Sequence, residues 1–144
     1  MDASAPTRVL VVAHRTAATQ RLLEAVSARA SAGPCHFTLL VPELSEAHPP
    51  GEAETTLALA MPLVQEAAGD ARVTGVTGEA DPFKAIQRAH RKTPFEEIII
   101  STLPEHVSHW LKRDLPARVE KMGLPVTVVT AKASATPRYV SAAR

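Results

Sequence analysis

Ser101 and Thr102 close an apolar run, Ile98-Ile99-Ile100, and are followed by a polar segment carrying His106, Ser108, His109, Lys112 and Arg113. Such a grouping could do three kinds of chemistry. The hydroxyls and cations, joined by Arg15 and Thr16 from an earlier turn, could hold an anion through side chains. His106 and His109, three apart, fit one helix face and the spacing of metal ligands, with His14 as a third ligand if its strand lies alongside. Ser101 and Ser108 stand near histidines in sequence, as a nucleophile and its base would. Each has a plainer reading: solvated loop ends, helix caps and exposed histidines.

Several specific chemistries find no motif. There is no G-x-S-x-G elbow around either serine. No glycine lies between Gly78 and Gly123 or in the turn Ala13-His14-Arg15-Thr16, so a glycine-lined phosphate loop of Walker or Rossmann type is absent. A receiver domain would want an acidic pair where His14-Arg15 stands and an aspartate where Thr77-Gly78 stands. Thr16 and Thr19 faintly echo a flavodoxin phosphate turn, but an aromatic content of 3% leaves little to sandwich a flavin. Trp110, in a stripe with Val107 and Leu111, reads as core before it reads as a base-stacking platform. Cys35 begins a strand pattern and reads as a small buried apolar residue.

Composition narrows the class. At 144 residues the chain predicts one domain. Sixteen basic and fifteen acidic residues leave a net charge of +1, without the basic excess of a dedicated nucleic-acid binder. The single cysteine excludes an intrachain disulfide and a Cys-based zinc site. No signal-peptide pattern opens the sequence and no apolar run reaches the roughly 18–20 residues of a membrane span, so a soluble cytoplasmic protein is expected.

The elements that must position these residues follow from periodicity. Arg8 to Ala13 is a short buried strand. Thr16 is expected to cap a helix running to Ala30, ended by Gly33-Pro34. Cys35 to Val41 is a second strand, stopped by Pro42, and 42–53 reads as a loop. A helix from Glu54 to Ala68 contains Pro62, which should kink or divide it. Ala71 to Val76 is a weak edge strand. Asp81-Pro82 is an N-cap followed by proline at the first helical position, with Phe83, Ile86 and Ala89 on the buried stripe. Glu97 to Ser101 is the central strand. Val107, Trp110, Leu111, Leu115, Val119 and Met122 form a helical stripe that Pro116 divides and Gly123 ends. Pro125 to Val129 is the last strand, and 131–144 reads as a tail beyond a domain of 7–130. Alternating strands and helices predict an α/β fold, a parallel sheet sandwiched by helices, whose ligands bind at the carboxyl ends of central strands.

From Arg8 to Thr130 this pattern resembles the universal stress protein family. The carriers are Arg8-Val-Leu-Val-Val-Ala13, Gly78-Glu-Ala-Asp-Pro82, Glu97-Ile-Ile-Ile-Ser101, Ser108-His-Trp-Leu-Lys-Arg113 and Leu124-Pro-Val-Thr-Val-Val129. The resemblance implies a three-layer α/β/α sandwich with a five-stranded parallel sheet in the order 3-2-1-4-5. It also implies a homodimer, through the last strand, and a site for ATP or another adenine nucleotide. By position that site takes in Ala13, His14, Arg15, Thr16, Ser101, Thr102, His106, Ser108, His109, Lys112 and Arg113. The chain departs from the family's motif in detail. His14 or Arg15 stands where an aspartate meets the adenosine, His109 replaces a glycine of the phosphate segment, and Lys112-Arg113 fall near its final glycine and hydroxyl. The first functional reading is therefore a stress-associated regulatory domain, not an enzyme, with absent, weak or altered nucleotide binding. The second is a small-molecule enzyme or binding protein using the same cleft for an anionic substrate. A third is a structural module that engages partners through the 42–53 loop and the tail.

Overall fold

The structure is a computed structural model that describes residues 6–13, 19–43, 52–79, 81–102 and 115–130. Its elements are β1 (Thr7–Val12), α1 (Gln20–Ala32), β2 (Cys35–Pro42), α2 (Glu52–Ala68), β3 (Arg72–Gly78), α3 (Pro82–Lys92), β4 (Glu97–Thr102), α4 (Leu115–Glu120) and β5 (Val126–Thr130). The five strands form one sheet in the order β3-β2-β1-β4-β5. Every pairing is parallel. The α/β architecture and strand order are those expected.

Side-chain alternation along β1 divides the core into two layers. Val9, Val11 and Ala13 join Leu22, Val26, Phe37 and Val64 on the face covered by α1 and α2. Leu10 and Val12 join Ile86, Ile98, Ile100, Leu115 and Val119 on the face covered by α3 and α4. The two layers together bury Val9 to Val12 of β1 and Ile98 to Ile100 of β4, which is why these stretches read as continuous apolar runs instead of alternating ones. β3, at the sheet edge, is only partly buried.

Local signals set most boundaries. The Asp81 carboxylate accepts the Phe83 and Lys84 backbone N–H groups at 3.0 and 3.4 Å. Proline at the next position costs α3 nothing there, since that N–H has no helical partner. Gly123, at φ 93°, takes the left-handed conformation that ends α4, and its N–H donates to the Glu120 carbonyl at 2.9 Å.

Four expectations change. The cap of α1 is Thr19, not Thr16: its Oγ1 accepts the Leu22 N–H at 3.4 Å, and the helix begins at Gln20. Pro42 does not stop β2 but ends it from inside, in register with Gly78; the next residue's N–H, from Glu43, donates to the Gly78 carbonyl at 3.0 Å. Pro62 does not divide α2, which is one helix of 17 residues. Its ring lies on the exposed side, while Ala53, Ala60, Val64 and Ala68 are buried beneath. Tertiary burial along that face offsets the lost intrahelical hydrogen bond. The helix also starts at Glu52, so the connection between β2 and α2 is shorter than 42–53.

Candidate functional site

The strand order reverses direction at β1: β2 lies on one side of it and β4 on the other. Connections leaving the carboxyl ends of β1 and β4 therefore diverge, and open sheets of this kind bind ligands in the crevice so formed. The last paired residues of the two strands are Val12 and Ile100. Beyond them come Ala13 and Ser101, both fully buried. Ser101 is the one polar residue in the fully buried set of the described chain. Alternation places Ala13 and Ser101 on the same face as Val11 and Ile99, the α1 side. Ala13 is held by its N–H, which donates to the Leu40 carbonyl at 3.1 Å. Ser101 and Thr102 lie in register with Val129 and Thr130 of β5.

The helix ends at this side of the sheet differ in charge. The amino end of α3 is occupied by the Asp81 carboxylate. The first turn of α1 carries no acidic residue, and its amino end is capped by the Thr19 hydroxyl. Gly78, at the carboxyl end of β3, makes a further close approach: a Cβ there would stand 2.6 Å from the Ala85 Cβ.

Of the residues singled out in the sequence, the structure places Ala13, Ser101 and Thr102 at adjacent strand ends. His14, Arg15, Thr16, His106, Ser108, His109, Lys112 and Arg113 lie outside the described residues, as do Trp110 and the tail. Among the described residues no group of three His, Cys, Asp or Glu side chains could hold a metal ion. The described histidines lie at the other end of the sheet. His36 is in register with Arg8 and Arg72 near the strand starts, and the His90 Nδ1 accepts the Phe95 N–H at 3.0 Å.

That other end holds a feature periodicity does not reveal. A hollow of about 660 Å³ opens where α1 and α2 end, lined among others by Ser27, Ser31, Cys35, His36, Asp70 and Arg72. Beside it the Arg29 guanidinium grips the Glu97 carboxylate with two bonds of 2.9 Å. This hydrogen bond and charge raise the Arg29 pKa against the opposing effect of burial. Burial raises that of the Cys35 thiol, with Arg29 opposing and Glu97 reinforcing. A raised thiol pKa makes Cys35 a poor nucleophile.

No protein-family model matches the chain, and no curated protein does. Solved structures do. A universal stress protein from Archaeoglobus fulgidus in complex with dAMP superposes with a TM-score of 0.61 at 16% identity, over 87% of this chain and 98% of that one. A universal stress protein in complex with cAMP gives 0.64 at 16% identity, over 89% and 99%. A further Archaeoglobus fulgidus universal stress protein structure gives 0.62 at 14%, over 88% and 99%. The chain therefore has the universal stress protein fold, spanning nearly the whole of each of these structures.

Proposed function

We propose that this chain is a regulatory, stress-associated domain of the universal stress type, without catalytic activity of its own. We propose further that it holds an adenine mononucleotide at the carboxyl ends of β1 and β4 by altered contacts. One observation carries the reading: the switch between β1 and β4 ends in two buried small residues, Ala13 and Ser101, in a fold whose solved examples include complexes with dAMP and cAMP. Side chains this small would let a flat ring system lie over the strand ends. In place of glycine amides, phosphate would be met by His14, Arg15 and Thr16 after β1. His106, Ser108, His109, Lys112 and Arg113 would meet it after Thr102. The same reading makes the protein a cytoplasmic homodimer joined along β5, an edge strand whose Val128 is 43% exposed. Among the described residues no helix is long and apolar enough to cross a membrane.

Thermal unfolding with AMP, cAMP, dAMP and ATP tests the binding. A ligand at a hundred times its Kd adds roughly 2.7 kcal/mol to the folded state, so a rise of several degrees in Tm is expected. Lys112→Ala/Arg113→Ala should shrink that rise while leaving the free protein's Tm unchanged. No rise with any of the four at millimolar concentration refutes nucleotide binding. For assembly, Val128→Lys should halve the mass measured by light scattering; an unchanged dimer would place the interface elsewhere.

A further inference from the structure

In its middle, from Leu57 to Val64, α2 is apolar on both sides, while Glu54, Thr55, Gln65 and Glu66 are exposed towards its ends. Its inner face is spoken for, with Ala53, Ala60, Val64 and Ala68 buried and Leu57 and Met61 packed against the same core layer. Its outer face exposes Ala58, Leu59, Pro62 and Leu63 as one contiguous patch. Leu59 is 70% and Leu63 42% exposed, two of the three large exposed apolar side chains among the described residues. A stretch of helix that is apolar all round is ordinarily covered all round. Two further properties describe what would cover it. The only charges on α2 are Glu52, Glu54 and Glu66, with no lysine or arginine from end to end. And Pro62 supplies no N–H, so the Ala58 carbonyl lacks its usual helical donor in the middle of the patch. The complement is a segment with an apolar centre, positive charge and donors to spare.

We infer that residues 131–144 of this chain dock on the outer face of α2. That segment carries Lys132, Arg138 and Arg144, no acidic side chain, and the chain's one tyrosine beside Val140. It therefore matches the patch in sign and in having an apolar pair to cover the leucines. The basic outer face of α3 on a second copy fits less well. Lys84, Arg88, Arg91 and Lys92 are exposed there, but no large apolar side chain is. Distance permits the contact. β5 ends at Thr130, and the nine residues from there to Tyr139 span at most about 30 Å. α2 lies over β2 and β3, three to four strand spacings or about 15–20 Å across the sheet from β5, and its outer face stands a helix diameter, about 10–12 Å, above its inner one.

A photocrosslinker tests this in the full chain. Tyr139→p-benzoylphenylalanine, irradiated and mapped by mass spectrometry, should crosslink to the peptide that holds Ala58 to Leu63. A product at monomer mass means the chain's own helix, and one at dimer mass a second copy's; both support the docking. Leu59→Lys/Leu63→Lys should lower the yield about tenfold, the scale of one buried aliphatic side chain. Glu54→Lys/Glu66→Lys should lower it several-fold and remove its salt dependence. Both pairs are surface changes, and circular dichroism confirms that the variants are folded. Crosslinks confined to another surface, or a yield indifferent to the leucine pair, overturn the inference. So does a patch that Leu59→Lys/Leu63→Lys shows to be a dimer contact, by halving the mass with no crosslink from position 139.

Discussion

Replacing Gly78 by alanine probes the packing that brings α3 onto the carboxyl end of β3. The new methyl would stand 2.6 Å from the Ala85 Cβ and 3.0 Å from the Leu40 Cδ1. The leucine methyl can turn away, but the alanine Cβ moves only with the helix backbone, and Ala85 is buried at 3% exposure. Overpacking of this kind costs about 1–3 kcal/mol; with one rigid clash and one flexible one we expect about 2 kcal/mol. Ala85→Gly alone should cost about 1 kcal/mol through helix propensity. The double variant removes the rigid clash, so its loss should fall below the sum of the single losses by about 1–2 kcal/mol. Urea unfolding of the wild type and three variants measures that coupling directly. Additivity within about 0.5 kcal/mol would show that the helix does not rest on Gly78 and would refute the reasoning.

Three other outcomes are expected. Asp81→Ala removes the two hydrogen bonds capping α3 and should cost about 1 kcal/mol by urea unfolding, with Asp81→Asn or Asp81→Ser recovering most of it. Glu97→Ala leaves the Arg29 guanidinium without its two-bond partner; both side chains are under a third exposed, at 21% and 32%. We expect about 1–2 kcal/mol, and a smaller loss on adding Arg29→Ala than the separate effects predict. Cys35 should make stability fall in alkali. The unfolded thiol ionises near its ordinary value of 9.0, whereas burial raises the folded one. The folded state therefore holds more protons above pH 9, and the stabilisation present below that value is lost as pH rises. Cys35→Ala should flatten stability between pH 8 and 10, and an unchanged slope would assign it to other groups.

The fold was legible because its signals are local. Val9 to Val12 and Ile98 to Ile100 are apolar without alternation since both faces of β1 and β4 are covered, and Asp81-Pro82 and Gly123 act within one helical turn. What escaped was tertiary. Thr16 and Thr19 are equally good caps by type, and only the start of α1 at Gln20 chooses Thr19. Pro62 breaks isolated helices, but α2 is held by the sheet and by α1. The closeness of Gly78 to Ala85 joins a strand end to a helix one turn into its course, which no spacing rule expresses. For the site, strand-end logic located Ala13 and Ser101 through burial alone. The chemistry proposed for the site rests on the residues that follow them, whose types are readable from sequence and which lie outside the described residues.

The two ends of the β1–β4 pair are built for different tasks. At the amino end the strands are stitched. The Arg8 N–H donates to Glu96 Oε1 at 2.9 Å, Arg8 Nε donates to the Pro94 carbonyl at 2.7 Å, and the Glu96 N–H donates to the Arg8 carbonyl at 2.8 Å. Arg29 and Glu97 bind α1 to the first residue of β4. These contacts fix the register that carries Val12 opposite Ile100. At the carboxyl end the same register delivers two small residues, Ala13 and Ser101, side by side and buried. A site must be held to a fraction of an ångström by a rigid frame if a weakly contacted ligand is to be recognised. The Arg29–Glu97 pair and the Arg8–Glu96 hydrogen bonds supply such rigidity at the far end, away from the proposed site. The order of the sheet thus puts the stitched end and the small-residue end at opposite ends of the same strand pair.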